Sequence, residues 1–280
     1  MIILKKVADL TKVIAAIQQT GQTTGFVPTM GALHEGHLSL IRQARKMADI
    51  TICSIFVNPT QFNDPEDLKK YPVTTDQDIA LLESEKVDYL FLPTPAEIYP
   101  PDLTKKNYDL GPIETVLEGA HRPGHFQGVA QVIDRLVTII QPTYMIMGQK
   151  DFQQVMVVTK LLKLIDSQTK LITSPTHRQP TGLALSSRNA RLREQELIQA
   201  TAISKALAYG KQHIADTEPR KLEKQMAAQL SEAGFSPIDY VAICHPTNLS
   251  PIENYQSGMQ AVILIAAFLG EVRLIDNMLV

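Results

Sequence analysis

Apolar residues along this chain form two kinds of run: short unbroken stretches, and longer stretches in which apolar positions recur every three or four residues. The first kind predicts buried strands and the second predicts amphipathic helices. Predicted strands cover residues 25–28, 50–57, 89–92 and 144–147. Predicted helices cover residues 37–48, 75–85, 127–140 and 152–165. Because the two kinds alternate, the pattern indicates parallel strands joined by helical crossovers.

The pattern changes after Ser174 and Pro175. Two long helical patterns and three strand-like runs follow, at residues 194–213, 219–233, 238–244, 261–268 and 272–275. Helices followed by strands, without alternation, are typical of an α+β domain. We therefore expect an α/β domain over residues 1–174 and a smaller α+β domain over residues 175–280. A solvated helix face is predicted for Lys221, Glu223 and Lys224.

Composition limits the function classes. The 280 residues are 44% hydrophobic, enough to bury a large core. Basic residues number 27 and acidic residues 29, so the net charge of −2 provides no global basic field for nucleic acid or anionic membrane. The longest apolar run, residues 261–269, is far shorter than the ~20 residues of a membrane-spanning helix. Cys53 and Cys244 are interpreted as buried free thiols, with a long-range disulfide less favoured. We expect a cytoplasmic protein that binds neither nucleic acid nor membrane.

The segment from Pro28 to His37 reads P-T-M-G-A-L-H-E-G-H and places His34 and His37 between a predicted strand and a predicted helix. A helix N-terminus attracts phosphate through its unpaired N–H groups and dipole, and Gly31 and Gly36 would let the backbone approach the anion. Histidines three residues apart lie on one side of the first turn, so both could donate to one polyphosphate. The spacing alone also fits two capping or surface histidines after a glycine turn.

Three further polar segments follow predicted strands or a later break, and open α/β sheets bind ligands at the carboxyl ends of their strands. They read F-V-N-P-T-Q-F at 56–62, G-Q-K-D-F-Q-Q at 148–154 and L-S-S-R-N at 185–189. In the first, Asn58 and Gln61 are neutral amides that could bind a hydroxyl and a carboxylate without an ion pair to the carboxylate. The alternative is an ordinary loop in which Asn58 makes an Asx turn.

In the second segment, Lys150 offers a mobile charge for phosphate and Asp151 favours a helix N-terminus. A capped helix with a solvated lysine is the alternative. In the third, residues 186–189 bring two hydroxyls, a guanidinium and an amide together, as a loop closing over a nucleotide would. A plain polar surface loop is the competing interpretation. Four such segments at compatible ends of one sheet nevertheless predict a nucleotide site.

With H-R-P-G-H-F-Q-G-V at residues 121–129, these segments resemble those of the pantothenate synthetases, the pantoate:β-alanine ligases, in the same order over most of the chain. The resemblance implies a Rossmann-like domain of the nucleotidyltransferase superfamily, a smaller C-terminal domain that closes over the active site, and a homodimer. It also implies that ATP and Mg²⁺ activate pantoate as pantoyl adenylate with loss of pyrophosphate. Attack by β-alanine would then give pantothenate and AMP.

The resemblance implies roles in catalysis and in ATP binding. His37 would donate a proton, with His34 as its phosphate-binding companion, and Lys150 and Arg188 would contact the phosphates. The implied ATP-binding residues are Met30, Gly31, Ala32, Leu33, His34, Glu35, Gly36, His37, Gly148, Gln149, Lys150, Asp151, His177, Ser186, Ser187, Arg188 and Asn189. The metal ligands stay unassigned.

For pantoate, the resemblance implies binding by Gln61 and Gln154 with support from Asn58, and Gln61 would also border the β-alanine site. The roles of Arg122 and His125 are left open. Departures from the common family pattern occur at Val73, Gln131, Asp134, Gln149, His177 and Thr181. None removes a phosphate or pantoate ligand, although the changes at positions 177 and 181 could alter loop closure and ATP affinity.

Other functions fit parts of the pattern. A nucleotidyltransferase would use the same histidines but leave the nucleotide on its product. A non-catalytic nucleotide sensor would not need Gln61 or Gln154. A tRNA-charging enzyme is disfavoured because the chain lacks a basic face and an evident anticodon-binding domain.

Overall fold

A computed structural model describes residues 1–280. The chain divides into two compact units. The first contains Met1–Gln149 and Gln153–Pro175, and the second contains Lys150–Phe152 and Thr176–Val280. Residues 150–152, predicted to be part of the first domain, thus group with the second unit. None of the helices combines the length and apolar character needed to cross a membrane.

The first unit contains a six-stranded sheet in which every neighbouring pair is parallel, in the order β1-β4-β3-β2-β5-β6. Its strands are β1 (Ile2–Leu4), β2 (Thr24–Thr29), β3 (Ile50–Ile55), β4 (Tyr89–Phe91), β5 (Tyr144–Gly148) and β6 (Lys170–Ser174). The chain builds β2, β3 and β4 outward and then returns with β5 on the other side of β2. The order therefore reverses between β2 and β5, where sheets of this kind bind ligands. The predicted Rossmann-like parallel sheet is confirmed.

Helices connect these strands. They are α1 (Val7–Gln19), α2 (Glu35–Met47), α3 (Pro65–Lys69), α4 (Thr75–Ser84), α5 (Pro95–Ile98), α6 (Glu118–His121), α7 (His125–Ile140) and α8 (Phe152–Leu164). Short 3-10 helices lie at Pro59–Gln61, Gly111–Glu114 and Gln149–Asp151. The helices α2 and α7 each begin two residues before their predicted starts at 37 and 127, and β3 ends two residues before its predicted end at 57.

Close packing of α2 on β2 places the first turn of the helix beside the end of the strand. A Cβ atom added at Gly25 of β2 would lie 3.1 Å from the Cβ of Ala44 and 3.2 Å from that of Ala48, so a larger residue would require α2 to move away by a few tenths of an ångström. Ile41 and Val27, both fully buried, belong to the core cluster between the two elements. The segment between β2 and α2 is thereby held at the carboxyl edge of the sheet.

The second unit contains an antiparallel sheet in the order β7-β8-β9 with two long helices, confirming the α+β prediction. Its elements are a 3-10 helix (Ser187–Arg191), α9 (Glu194–His213), α10 (Pro219–Glu232), β7 (Phe235–Cys244), β8 (Val262–Leu269) and β9 (Val272–Leu279). The solvated face predicted on α10 is wrong at Glu223. Its side chain is only 11% exposed, and its Oε1 accepts the N–H of Ile243 at 2.8 Å. The carboxylate thus joins α10 to β7.

Candidate active site

The two histidines of the 28–37 segment stack at the N-terminus of α2. His34 is the capping residue and His37 lies in the first turn, with ring centroids 4.0 Å apart. The backbone N–H of His34 donates to Nδ1 of His37 at 3.3 Å. Because Nδ1 accepts this bond, a neutral His37 carries its proton on Nε2. The helix end therefore offers backbone N–H groups and an imidazole N–H of defined tautomer to an anion.

A buried carboxylate shapes the loop that precedes α2. Asp78 of α4, only 2% exposed, accepts the N–H of Ala32 at 2.9 Å, the N–H of Leu33 at 2.8 Å and the hydroxyl of Thr74 at 3.1 Å. Both Gly31 and Ala32 have positive φ angles, 81° and 49°. For alanine this conformation is unfavourable, and it persists only where surrounding contacts enforce it. The sequence analysis missed Asp78, which supplies these contacts.

Asn58 lies at the end of β3 and is almost fully buried, with 1% exposure. Its Nδ2 donates to Oε1 of Gln61 at 3.0 Å and to the carbonyl of Gly128 at 3.1 Å. Its Oδ1 accepts from the hydroxyls of Thr60 at 3.0 Å and Tyr99 at 2.9 Å. Burial raises the pKa of the Tyr99 phenol, which keeps it protonated as a donor. This geometry favours the supporting role for Asn58 rather than direct contact with a ligand.

The side-chain amide of Gln61 has a fixed orientation. Since Oε1 accepts from Asn58, Nε2 is the group left to donate, and it lies 3.3 Å from Sδ of Met30, a weak acceptor. The carbonyl of Gln61 accepts from Nδ1 of His125 at 2.8 Å and from Arg122 at 3.4 Å. Arg122 in turn lies 3.3 Å from Nε2 of the same histidine. Arg122 and His125, whose roles the sequence left open, hold the loop that carries Gln61.

Close backbone contact fixes the same loop against α7. A Cβ atom at Gly128 would lie 2.2 Å from the carbonyl oxygen of Thr60, so any larger residue would push α7 away from the turn at Pro59–Gln61.

The two glutamines at the start of α8 differ in their surroundings. Gln153 is 2% exposed and donates to the carbonyls of Ile113 at 2.7 Å and Val116 at 2.9 Å, while its Oε1 accepts the N–H of Glu118 at 3.1 Å. Gln154 is half-buried, and no protein group is hydrogen-bonded to its amide. Gln153 therefore fixes the loop before α6, and Gln154 has donor and acceptor capacity for a ligand.

In the second unit, the residues predicted to bind the nucleotide lie in two short segments and one turn. Nζ of Lys150 lies 3.9 Å from Oδ1 of Asp151, with the two side chains 17% and 49% exposed. Ser186 caps the following 3-10 helix by accepting the N–H of Arg188 at 3.3 Å, and Asn189 donates to the carbonyl of Ala184 at 3.0 Å. Both side chains thus shape the loop itself.

Residues 177–185 form the turn. The N–H of Leu185 donates to the carbonyl of His177 at 3.0 Å, and that of Gln179 donates to the carbonyl of Leu183 at 2.8 Å. The side chains of His177 and Thr181 are exposed. The chain has no cluster of three or more histidine, cysteine or acidic side chains arranged to hold a metal ion.

Comparison with known proteins identifies the family to which the chain belongs. A family model described as pantoate-β-alanine ligase matches residues 2–279. The chain belongs to this family. A pantothenate synthetase from Porphyromonas gingivalis strain W83 is 40% identical over 277 residues, covering 99% of this chain and 98% of the relative. Another, from Aliivibrio fischeri, is 41% identical over 283 residues, covering 100% and 96%.

Solved structures of family members share the whole fold. Pantothenate synthetase from Thermus thermophilus superimposes with a TM-score of 0.91 at 37% identity, covering 99% of each chain. Pantoate-β-alanine ligase from Francisella tularensis, complexed with β-γ ATP and β-alanine, has a TM-score of 0.84 at 38% identity and covers 100% of this chain and 97% of its own.

The structure shows what several of the residues that depart from the common family pattern contact. Gln131 donates to the carbonyl of Lys106 at 3.1 Å, and Asp134, 4% exposed, accepts from Lys106 at 2.9 Å and from the hydroxyl of Tyr108 at 2.6 Å. These two changes therefore attach residues 106–108 to α7. Val73 is 74% exposed and lines a cavity of about 220 Å³ that also borders Met30.

Proposed function

We propose that this chain uses ATP to condense pantoate with β-alanine, forming pantothenate, AMP and pyrophosphate through pantoyl adenylate. This proposal rests on the contact between the Gln61 amide and Met30. Met30 belongs to the same segment as His34 and His37. A carboxylate bound by this amide would lie beside the helix end suited to ATP phosphates. The F. tularensis relative, complexed with β-γ ATP and β-alanine, supports both ligands.

In the first step, a carboxylate oxygen of pantoate attacks the α-phosphorus of ATP and pyrophosphate leaves. Negative charge rises on the phosphoryl oxygens, and donors already in place stabilise it: His34, His37 and the N-terminus of α2. Lys150 and Arg188 would contact the leaving phosphates. Gln61 and Gln154 would orient pantoate through neutral hydrogen bonds, which leave its carboxylate nucleophilic.

In the second step, the amine of β-alanine attacks the acyl carbon of the adenylate. The bond to the phosphate oxygen breaks, AMP leaves and the amine nitrogen loses a proton, giving the amide of pantothenate. Gln61 would border this amine's site. Fixing both reactants replaces a bimolecular encounter by a reaction within one complex.

The proposal includes Mg²⁺, a homodimer and a cytoplasmic location. Mg²⁺ would arrive on the ATP phosphates, its usual oxygen ligands in such sites, and the Asp151 carboxylate could supply one more. The two free, buried cysteines fit a reducing compartment. Light scattering on the purified chain tests for the dimer, and activity across a magnesium titration tests for the metal.

A coupled assay with ATP, pantoate and β-alanine, each omitted in turn, tests the reaction. We expect AMP release only with all three substrates, and pyrophosphate release with ATP and pantoate alone. Release of AMP independent of β-alanine would contradict the ligase assignment. Nucleotide retained on a product would favour a nucleotidyltransferase, and ATP binding without turnover would favour a sensor.

A further inference from the structure

Two consecutive polar residues near the end of β9, Asp276 and Asn277, are buried. Their exposed fractions are 4% and 2%. Consecutive strand residues point to opposite faces, so both faces of β9 are covered at this point. A buried carboxylate and a buried amide are costly unless hydrogen bonds compensate for the water they lose. Their partners therefore show what the end of β9 holds in place.

Asp276 binds the turn formed by residues 177–185. Its carboxylate accepts two bonds from the guanidinium of Arg178, one of them 2.9 Å long, and the N–H of Asn277 at 2.8 Å. The same guanidinium donates to the carbonyl of Gly182 at 3.2 Å and to that of Asn277 at 3.2 Å. The Arg178 side chain thus joins the start of the turn and Gly182 within it to β9. Arg178 directly follows His177, which the family resemblance assigns to ATP binding.

Asn277 binds a second predicted nucleotide segment. Its Nδ2 donates to the carbonyl oxygen of Lys150 at 2.9 Å. In addition, β9 packs against the 3-10 helix Ser187–Arg191, which contains Arg188. The strand β9 therefore contacts Lys150 and the two neighbouring segments 177–185 and 187–191, each of which contains residues predicted to bind ATP.

We infer that Asp276 and Asn277 are positioning residues for ATP. Asn277 holds the Lys150 backbone and Asp276 holds the turn after His177, so both segments keep a fixed position on β9. This inference rests on the proposed function. Lysine carries its charge on a flexible four-carbon stem, so where the charge can reach depends on where its backbone is held. A bond to the Lys150 carbonyl fixes the peptide plane from which that stem projects. Catalytic geometry depends on such supporting bonds.

The test uses the full chain with Asn277→Ala and, as a matched control, Asp239→Asn. Asp239 forms a similarly placed pair with Arg273 of β9 at 2.7 Å, so the control weakens an ion pair of the same sheet without addressing Lys150. We expect Asn277→Ala to lower kcat/KM for ATP about 10- to 100-fold, measured by pantoate-dependent pyrophosphate release, with an unchanged KM for pantoate. Asp239→Asn should retain the wild-type value.

Repeating the substitution in a chain that already carries Lys150→Ala distinguishes a positioning role from a general loss of structure. If Asn277 acts through Lys150, Asn277→Ala should add no further loss in a Lys150→Ala chain, because the two effects are not additive. If the alanine variant does not fold, Asn277→Asp is measured in its place. Aspartate is nearly isosteric with asparagine, but it presents an acceptor to the Lys150 carbonyl. We expect this variant to lose ATP efficiency as well.

The inference is overturned if Asn277→Ala matches the wild type, if the control loses as much, or if the loss persists unchanged in the Lys150→Ala chain. A wild-type chain that releases no pyrophosphate would instead contradict the proposed function. In that case calorimetric titration with ATP alone still decides the inference, because Asn277→Ala should weaken ATP binding and Asp239→Asn should not.

Discussion

Replacing Asp78 by alanine removes the carboxylate that organises the loop before α2. The loop then loses the acceptors of two backbone N–H groups, Ala32 and Leu33, now bonded at 2.9 and 2.8 Å. Hydrogen bonds to a charged group contribute about 1.5 to 3 kcal/mol each, so the gross loss is about 3 to 6 kcal/mol. Both residues are half-buried, and water can replace part of what is lost. The desolvation cost of the buried carboxylate also disappears. We therefore expect a net loss of about 2 to 4 kcal/mol.

That loss should divide between folding and catalysis, because the carboxylate helps to hold Ala32 at its positive φ angle. Urea unfolding measures the first part, and single-turnover pyrophosphate release from ATP and pantoate measures the second. Asp78→Asn, which keeps one acceptor, should show about half of each effect. Thr74→Val, which removes only the hydroxyl bonded to Asp78 at 3.1 Å, should change the rate little.

The reasoning is refuted if Asp78→Ala releases pyrophosphate at the wild-type rate, since the loop would then keep its shape without the carboxylate. A loss in stability with no loss in rate would limit Asp78 to folding. Equal effects of the alanine and asparagine variants would indicate that charge, rather than the number of acceptors, determines the loop.

Three further predictions address single features. His37→Ala should slow pyrophosphate release about 10²- to 10³-fold, as loss of one preorganised donor does, with a much smaller loss of stability in urea from the missing bond to the His34 N–H; a near-native rate would contradict the phosphate site. Gln154→Ala should weaken pantoate binding by about 1 to 3 kcal/mol, which corresponds to a rise in the pantoate KM of about 5- to 150-fold, while calorimetric titration shows intact ATP binding. Weaker ATP binding with an unchanged pantoate KM would contradict the assignment of Gln154 to the pantoate pocket. Burial raises the pKa of the Cys53 thiol to about 12, so a thiol reagent at about pH 8 should label it only after unfolding in urea; labelling of the native chain would contradict its burial.

The sequence predicted the main elements because long amphipathic helices and central buried strands leave strong periodic patterns. It did not predict β1, α1 or β6. The strand β1 is three residues long at the edge of the sheet, so its apolar run, Ile2–Leu4, is too short to show a period, and Ile2 and Ile3 stay 54% and 39% exposed in the fold. Such a strand forms because β4 offers it a parallel partner, and a local window does not contain that partner.

The chemistry of the site was only partly predictable for a related reason. Motifs identify residue types that suit a ligand, and they indicated His37 and Gln61. Asp78 carried one weak signal, an acidic residue four positions before the buried Leu82 on the same helix face. Its partners lie about 45 residues earlier in the chain, so only the fold reveals why a carboxylate is buried there.

Under the proposed function, buried groups of this kind would also influence selectivity without contacting a ligand. Asn58 donates to Oε1 of Gln61, which fixes the orientation of the Gln61 amide and leaves its N–H as the group to donate to a substrate acceptor. A pantoate oxygen would accept that bond, whereas a donor at the same place would favour an amide that turns and breaks its bond to Asn58, at a cost of about 1 kcal/mol or more. Asn58 cannot turn in compensation, because Tyr99 and Thr60 donate to its oxygen. Tyr99, two hydrogen bonds away from the proposed ligand, would thus support discrimination at Gln61, and we expect a substitution of Tyr99 to alter substrate preference before it alters the fold.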